Sequence, residues 1–320
     1  MPSYSGVWNL VSVYQAVGQG LWPYSPTNGT RAVFAGGNTV SAGDNNVITY
    51  FTIESLGNST DFGDLAQKTW GISGFGSSTR GVFAGGYTSP STFINYITLA
   101  STGNASDWGA SSTYSHNGSS GANSTTRGLI MAGESSSNNI EYVTIATTGS
   151  VTGFGTLSTA ANYGGSCFSQ TRALAGLSRS GVATSALEYV TIASTGNGTT
   201  FGNLTASRQA PQGCSNGTRG VFAGGDNGSY TVFYNVMDYV TIASTGNATD
   251  FGDLLAVIAY VGATSSPTRG LFMGGASGGN GSNVIQYITI ASTGNSTDFG
   301  DLIVGAAAGA ATSAANGGLQ

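Results

Sequence analysis

A chain of 320 residues, 39% of them hydrophobic, can bury a core as one large domain or as two ordinary ones. Charged residues make up only 7%, the net charge is -5 and Lys68 is the single lysine, so the basic surface of a nucleic-acid-binding protein is missing. No apolar run is long enough to span a bilayer, and the first ten residues, MPSYSGVWNL, lack the basic segment of a signal peptide. Neither membrane insertion nor conventional secretion is therefore expected.

The chain repeats a unit of about 45 to 50 residues six times, which is the length of a four-stranded propeller blade. Each unit opens on a threonine-arginine pair and an apolar segment, and the arginines are Arg31, Arg80, Arg127, Arg172, Arg219 and Arg269. In four units this segment ends in a glycine pair, at 36–37, 85–86, 224–225 and 274–275, which indicates a strand end with positive φ or close backbone approach. We assign Gly133-Glu134 and Gly176-Leu177 to this position in units three and four, and expect local deviations there.

A tyrosine-led strand and an aromatic turn follow at a fixed spacing. The two aromatic residues are always twelve positions apart: Tyr50 and Phe62, Tyr96 and Trp108, Tyr142 and Phe154, Tyr189 and Phe201, Tyr239 and Phe251, Tyr287 and Phe299. Val, Ile, Thr and Tyr ahead of a Ser-Thr-Gly-Asn turn are typical of a β-hairpin. No helix is predicted, since Gly, Ser, Thr and Asn crowd the sequence and glycines interrupt the alanine-rich tail at 305–315.

A unit of this size cannot bury its own apolar face, so the six units must stack into one body. The prediction is an all-β protein, a six-bladed β-propeller with four-stranded antiparallel blades, as a single domain over 1–320. One end of the chain must complete a blade begun by the other, because a ring otherwise keeps an unpaired edge. Residues 7–10 resemble the FGDL part of the repeat and residues 310–319 resemble the segment before the arginine, so we expect one of them to pair across the closure.

The repeat arginines allow two interpretations. In the first, each arginine fixes strand ends within its blade by hydrogen bonds to carbonyl oxygens and to turn carboxylates such as Asp250 and Asp253. In the second, the six arginines form a cationic ring that binds an anionic glycan or phosphate. We favour the structural interpretation, since a ligand site usually breaks symmetry.

The loops between the glycine pairs and the strand tyrosines differ in length and content, and they break the repetition. They carry the aromatic residues Tyr87, Phe93, Tyr230, Phe233 and Tyr234, which we predict as ligand-binding residues. The spacers that carry Trp70, Arg208 and Tyr260 should emerge on the same face. Partner contacts are expected there, strongest near blades two and five, with the uniform turns facing solvent or the rest of the assembly. Loop drift without selection is the alternative.

Other candidate sites have simpler explanations. His116 is the only histidine, so neither a histidine metal cluster nor a histidine-based catalytic group set is expected, and we interpret it as a solvated loop residue. The turn aspartates are too few per turn for calcium, and the Asn-x-Ser/Thr motifs at Asn104, Asn247 and Asn295 are explained by turn chemistry. Cys167 and Cys214 occupy equivalent positions in adjacent units, where they could pair or, as we favour, pack as small buried residues. No catalytic residue, metal or cofactor is predicted.

The order of VFAGG strand, variable loop, tyrosine-led strand and aromatic turn resembles the kelch repeat. The wording of YVTIASTGNATDFGDL and CSNGTRGVFAGG is similar to kelch-like repeats in virion proteins of marine tailed phages, notably those of cyanobacteria, over residues 7–302. This resemblance implies a non-enzymatic virion structural protein, a propeller associated with the tail or a fibre. Such a protein would attach to a host-surface glycan or protein and contact other virion proteins. Both a monomer and a homo-oligomer are compatible with this role. A purely architectural capsid or tail decoration protein is the alternative, and a glycan-processing enzyme is a third.

Overall fold

The computed structural model describes residues 31–39, 43–134 and 137–315, and throughout these ranges the chain is all-β with no helix. The strands form six four-stranded antiparallel sheets and two short ribbons, Asn38–Thr39 with Gly43–Asp44 and Ala276–Ser277 with Asn280–Gly281. The sheets are the six predicted blades of a β-propeller. No helix in the described part of the chain could cross a membrane.

Each blade has an inner, a second, a third and an outer strand. From blade one to blade six, the inner strands are Ala310–Ser313, Ile72–Gly76, Ser120–Asn123, Ser166–Phe168, Gln212–Ser215 and Gly262–Ser265. The second strands, which begin at the repeat arginines, are Arg31–Ala35, Arg80–Gly85, Arg127–Met131, Arg172–Gly176, Arg219–Ala223 and Arg269–Met273. The third strands are Val47–Thr52, Ile94–Thr98, Asn139–Thr144, Thr184–Thr191, Val236–Thr241 and Val284–Thr289. The outer strands are Thr60–Asp64, Ser106–Asp107, Thr152–Thr156, Thr199–Arg208, Thr249–Asp253 and Thr297–Asp301.

The C-terminal part of the chain closes the ring. Ala310–Ser313 pairs antiparallel with Arg31–Ala35 and so supplies the inner strand of blade one. Each inner strand contacts the inner strands on both sides, which completes a circle around the central axis. The expectation that one terminus pairs across the closure is confirmed for the C-terminal segment, whereas the segment at 7–10 lies outside the described residues.

Small residues line the axis because the inner strands approach one another closely. One axial position per blade is held by a glycine, alanine or serine: Ala311, Gly74, Gly121, Ser166, Gly213 and Ala263. A Cβ atom on Gly213 would lie 2.3 Å from the carbonyl oxygen of Ser166 in the preceding blade. Six blades can meet at the axis only where side chains are this small.

The fixed twelve-residue spacing has a structural cause. In every blade the tyrosine of the third strand packs edge-on against the aromatic residue that lies in the outer strand or, for Trp108, directly after it, with ring centroids 5.9 to 6.2 Å apart. This T-shaped geometry is a favoured arrangement of aromatic pairs. An inserted residue would turn one ring to the opposite face of the sheet, since side chains alternate along a strand.

The glycine-pair position differs from our assignment in blades three and four. The equivalent of the glycine pair in blade three is Ala132-Gly133, one residue earlier than expected, and both residues have positive φ, +57° and +97°. Blade three therefore keeps the turn geometry of the other blades. In blade four the equivalent residues are 177–178, where no positive φ occurs, so this blade alone departs from the turn.

Each repeat arginine joins two blades. Its Nη1 donates, over 2.6 to 3.2 Å, to the carbonyl oxygen immediately after the third strand of the next blade: Leu99, Ile145, Ile192, Ile242, Ile290 and Ile53. Its guanidinium lies 4.1 to 4.7 Å from the ring centroid of the tyrosine in its own blade. The predicted partners within the blade were wrong, because stacking on the tyrosine directs the guanidinium across the boundary. Within the described ranges, no repeat arginine forms a salt bridge to a turn carboxylate.

The uniform turns also connect blades. Asparagine side chains in five of them accept a hydrogen bond, over 2.9 to 3.1 Å, from a main-chain N–H in the outer strand of the preceding blade; they are Asn58, Asn104, Asn197, Asn247 and Asn295. The glycine after the aromatic residue makes room for this contact. A Cβ atom on Gly252, whose φ is +141°, would lie 2.5 Å from the carbonyl oxygen of Gly294.

A third set of contacts between blades is buried and polar, and we did not expect it. The residue before each strand tyrosine accepts a hydrogen bond from a main-chain N–H of the preceding blade in five blades, through Asn95, Glu141, Glu188, Asp238 and Gln286. In blade one Ser59 takes this part, accepting from Ile303 at 2.9 Å. Such bonds satisfy main-chain donors that have no strand partner.

His116 belongs to this buried polar set, so our interpretation as a solvated residue was wrong. Its side chain is fully buried, with Nε2 2.8 Å from a carboxylate oxygen of Glu141 and Nδ1 2.5 Å from the carbonyl oxygen of Ala132. The imidazole ring thus connects the Glu141 side chain to the main chain at Ala132. Burial opposes ionisation of Glu141, but hydrogen bonds from His116 and Thr113 outweigh it and hold the pKa of Glu141 below its ordinary value.

The two cysteines pack as small core residues, as we favoured. Both are buried free thiols, and Cys167 Sγ lies 3.3 Å from the main-chain carbonyl oxygen of Cys214. Burial raises the pKa of both thiols well above the ordinary value, which keeps them protonated.

Candidate functional site

One end of the central axis opens into a cavity of about 720 Å³, which we call the axial basin. It lies where the spacers enter the inner strands and where the loops leave the glycine pairs, so all six blades contribute to it. Its lining residues are Asn38, Trp70, Tyr87, Asn117, Glu134, Asn162, Tyr163, Ser180, Tyr230, Tyr260, Ala276, Ala307 and Ala308. The volume falls within the range of ligand-binding pockets, about 300 to 1,000 Å³.

Five aromatic rings of the basin form a continuous chain. Trp70 stacks on Tyr87 at 4.9 Å and on Tyr163 at 6.2 Å, and Tyr230 stacks on Tyr260 at 6.0 Å. The two groups meet where Tyr163 and Tyr260 pack edge to face, with centroids 5.3 Å apart and an interplanar angle of 79°. The basin therefore has two aromatic walls that stand nearly at right angles. The first wall consists of Trp70, Tyr87 and Tyr163, and the second wall consists of Tyr230 and Tyr260.

Tyr163 and Tyr260 enter the basin from a strained backbone position. The residue nine positions before the repeat arginine has φ between +54° and +71° in blades two to six, and the equivalent residue of blade one, Ala308, has φ +55°. Glycine or alanine occupies this position in four blades, at Gly71, Gly118, Ala210 and Ala308. A tyrosine with positive φ is costly, and such strain is concentrated at functional sites. Among the six residues at this position only Tyr163 and Tyr260 carry aromatic rings, and both rings line the basin.

Gln209 orients the two tyrosine rings of the second wall, Tyr230 and Tyr260. It is fully buried, and its Nε2 donates to the hydroxyl oxygens of Tyr260 at 3.2 Å and Tyr230 at 3.5 Å. Its Oε1 accepts from the main-chain N–H of Gly181 in the loop of blade four. One buried amide therefore orients two rings of the basin and ties them to a third loop.

Amide groups stand between the rings. Asn117 Oδ1 accepts from the hydroxyl of Tyr163 at 3.1 Å, and Asn162 Oδ1 accepts from the N–H of Ser180 at 2.6 Å. Neither amide nitrogen has a hydrogen-bond partner among the described residues, although the Asn162 side chain belongs to a residue only 5% exposed. The basin therefore offers two oriented donors to a ligand.

Charge is sparse in the basin. Glu134 is the only charged residue among its described lining residues, and it is exposed at the rim. Asp226 lies buried behind the second wall; burial raises the pKa of its carboxyl group, and a hydrogen bond from the N–H of Gly228 opposes the rise in part. Burial also raises the pKa of Tyr163 and Tyr260, so both remain neutral phenols.

The basin is closed at its floor. Below it the spaces around the inner strands shrink to about 20 Å³ next to Tyr163 and Tyr260 and about 60 Å³ farther along the axis. A ligand larger than a few water molecules cannot pass through. It must enter and leave at the basin end.

The sequence-based site residues divide into three groups. Tyr87 and Tyr230 line the basin, as do Trp70 and Tyr260 from the spacers. Phe233 and Tyr234 are half-buried and lie outside the lining. Phe93 packs in the core with Phe83 and Leu99, and placing it among exposed loop aromatics was wrong, because its loop turns inward before the third strand.

Two spacer residues differ from expectation. Tyr163 was missed, although its place nine residues before Arg172, where four other blades have glycine or alanine, was visible in the sequence. Arg208 is fully buried and pairs with Asp238 at 2.7 Å, so it connects blades four and five and does not reach the loop face. The described parts of the chain contain no cluster of three His, Cys, Asp or Glu side chains that could hold a metal ion.

The comparisons with known proteins bear on the fold. The solved structure of YjhT is similar to this chain with a TM-score of 0.63, covering 78% of this chain and 88% of the other. The sequences are 10% identical. The similarity shows the fold alone. No protein-family model matches the chain, and no curated protein matches it.

Proposed function

We propose that this protein is a non-enzymatic virion component of a tailed phage, a kelch-like propeller on the tail or fibre that attaches to a host-surface glycan through the axial basin. The observation that carries the proposal is the chain of five aromatic rings at one end of the axis. Two of these rings, Tyr163 and Tyr260, stand where other blades have glycine or alanine, and this asymmetric placement of aromatic surface supports a ligand-binding role.

The two ends of the propeller differ in a way that suits attachment. The six arginines and the uniform turns lie at the end where the second strands begin, and the basin lies where those strands end. The arginine end repeats nearly the same contacts six times and suits packing against other virion proteins. The basin end is asymmetric, which suits recognition of one partner.

An enzyme is a weaker alternative. Glycoside hydrolysis uses a pair of carboxyl groups roughly 5 to 9.5 Å apart, on either side of the scissile bond. Among the described lining residues of the basin only Glu134 carries a carboxyl group. A hydrolysis assay on host polysaccharide tests this alternative directly.

Adsorption of particles carrying altered copies of the protein tests the proposal. Tyr87→Ser with Tyr230→Ser should abolish adsorption and leave assembly intact, because both rings are well exposed, at 61% and 49%. Phe233→Ser with Tyr234→Ser should have the smaller effect. Tyr114→Ser is the matched control, since Tyr114 is 41% exposed and lies outside the basin.

The outcomes separate the alternatives. Normal adsorption and normal assembly of the Tyr87/Tyr230 variant would rule out the basin as the attachment site. Loss of assembly in that variant, with the isolated protein still folded, would instead support a purely architectural decoration protein.

A further inference from the structure

We infer that the axial basin selects the neutral end of a saccharide chain over its anionic counterparts, and that Glu134 sets this preference. The inference rests on the proposed function and names the chemistry of the ligand. It follows from three properties of the basin: its aromatic walls, its free amide donors and its charge.

The aromatic walls and the free amide donors of the basin are complementary to the faces and the hydroxyl groups of a sugar ring. A pyranose has apolar C–H faces and an equatorial rim of hydroxyl groups, so it needs flat apolar surfaces with polar groups at their edges. Trp70, Tyr87 and Tyr230 provide the surfaces, and the amide nitrogens of Asn117 and Asn162 provide donors without protein partners. A quaternary ammonium group would also stack on aromatic rings, but it has no use for these donors.

The charge of the basin disfavours an anionic sugar. A carboxylate or sulfate group is normally met by arginine, lysine or several N–H donors, and no cationic residue occurs in the described lining. The repeat arginines start the second strands, whose opposite ends form the basin; five residues of strand separate them by about 15 Å. Their guanidinium groups are also occupied by carbonyl oxygens of the next blade. Glu134 places a like charge at the rim.

The closed floor determines how the chain is held. Because the axis is nearly filled below Tyr163 and Tyr260, a saccharide can enter only from the open end. Six blades contribute to one basin, so one chain end binds per propeller. The expected stoichiometry is one ligand per protein molecule.

An array of oligosaccharides in matched pairs tests the inference. Each pair shares one backbone, with and without a terminal sialic acid, uronic acid or sulfate. Isothermal titration measures the affinity and stoichiometry of each member in solution. The intact protein should bind at least one neutral member with 1:1 stoichiometry and at least tenfold more tightly than its anionic partner. Tyr87→Ala and Tyr230→Ala should each weaken binding about tenfold, whereas Tyr114→Ala should not change it.

Substitution of Glu134 tests the charge argument separately. The readout is the ratio of the affinity for the neutral glycan to the affinity for its anionic partner. Glu134→Gln should lower this ratio several-fold, and Glu134→Lys should lower it further. The inference would be overturned if the intact protein preferred anionic glycans, or if the ratio of neutral to anionic affinity stayed unchanged in both variants. Displacement of the bound saccharide by choline would also overturn the inference, because it would indicate that the aromatic walls bind cations.

Failure of the inference can be distinguished from failure of the proposed function. If the protein blocks adsorption of particles but binds only anionic glycans, glycan attachment stands and the neutral-sugar inference falls. If it blocks adsorption but binds no glycan on the array, both the neutral-sugar inference and the glycan receptor of the proposed function fall. If it binds neutral glycans but neither blocks adsorption nor is present on particles, the inference stands and the attachment role falls.

Discussion

Arg219 in blade five donates a hydrogen bond to the main-chain carbonyl oxygen of Ile290 in blade six, at 2.9 Å. The two residues are 71 positions apart in the chain. The equivalent bond recurs at all six boundaries, including the closing one from Arg269 to Ile53. The arginines therefore link neighbouring blades, and their contribution to the free energy of unfolding can be measured by substitution.

Replacing Arg219 with alanine should lower the free energy of unfolding by about 1 to 3 kcal/mol, because it leaves a carbonyl group without its partner and removes the stacking on Tyr239. Chemical denaturation measures the change. Arg179→Ala is the control, since Arg179 is exposed. An unchanged melting temperature together with lost binding to host cells would mean that the arginine contacts a ligand instead.

The contact between uniform turns and the preceding blade predicts an asymmetry between two glycines of one hairpin. Gly252→Ala should destabilise the protein by about 1 to 3 kcal/mol, because the new Cβ meets the carbonyl oxygen of Gly294 at 2.5 Å. Gly246→Ala should be nearly neutral, since no atom lies within 4 Å of its Cβ position. Equal melting temperatures for the two variants would contradict the close packing of the turns.

The buried pair of His116 and Glu141 predicts acid sensitivity. The pKa of Glu141 is lower in the folded protein than in the unfolded chain, so its contribution is present above the ordinary glutamate pKa of about 4.3 and is lost as the pH falls through the lower folded value. Stability measured from pH 7 down to pH 3 should decrease in this window. Glu141→Gln should flatten the decrease while keeping the fold, because glutamine removes the titrating carboxyl group and can still form a hydrogen bond with the His116 ring. Glu54→Gln, at an exposed carboxyl group, should leave the profile unchanged.

Gln209 offers a test of preorganisation in the basin. Gln209→Met keeps the volume of the side chain but removes the hydrogen bonds to Tyr230 and Tyr260. Saccharide affinity should fall several-fold, because the two rings lose their fixed orientation before the ligand binds. Isothermal titration against the best neutral ligand measures the loss. A variant that binds as tightly as the original protein would show that the tyrosines are positioned by packing alone.

The sequence by itself determined the repeat and the blade. The six threonine-arginine pairs, the twelve-residue spacing from Tyr239 to Phe251 and the glycine pair at 224–225 are local signals. They predicted the number of blades, the four strands of each blade and the face on which the variable loops emerge, but not the two short ribbons in those loops. These features follow from the two-residue alternation of a strand and from the turn preferences of glycine, both of which act over a few residues.

Only the tertiary structure decided which groups meet between blades. The acceptor of Arg219 lies 71 residues away and that of Arg269 lies 216 residues away, so no local pattern pairs them. For the same reason His116 was misplaced: its burial depends on Glu141 and Ala132, which reach it only when blade three packs beside blade two. The basin follows the same rule, because Trp70, Tyr163 and Tyr260 come from three blades and become neighbours only when closure of the ring brings the blade entries to one end of the axis.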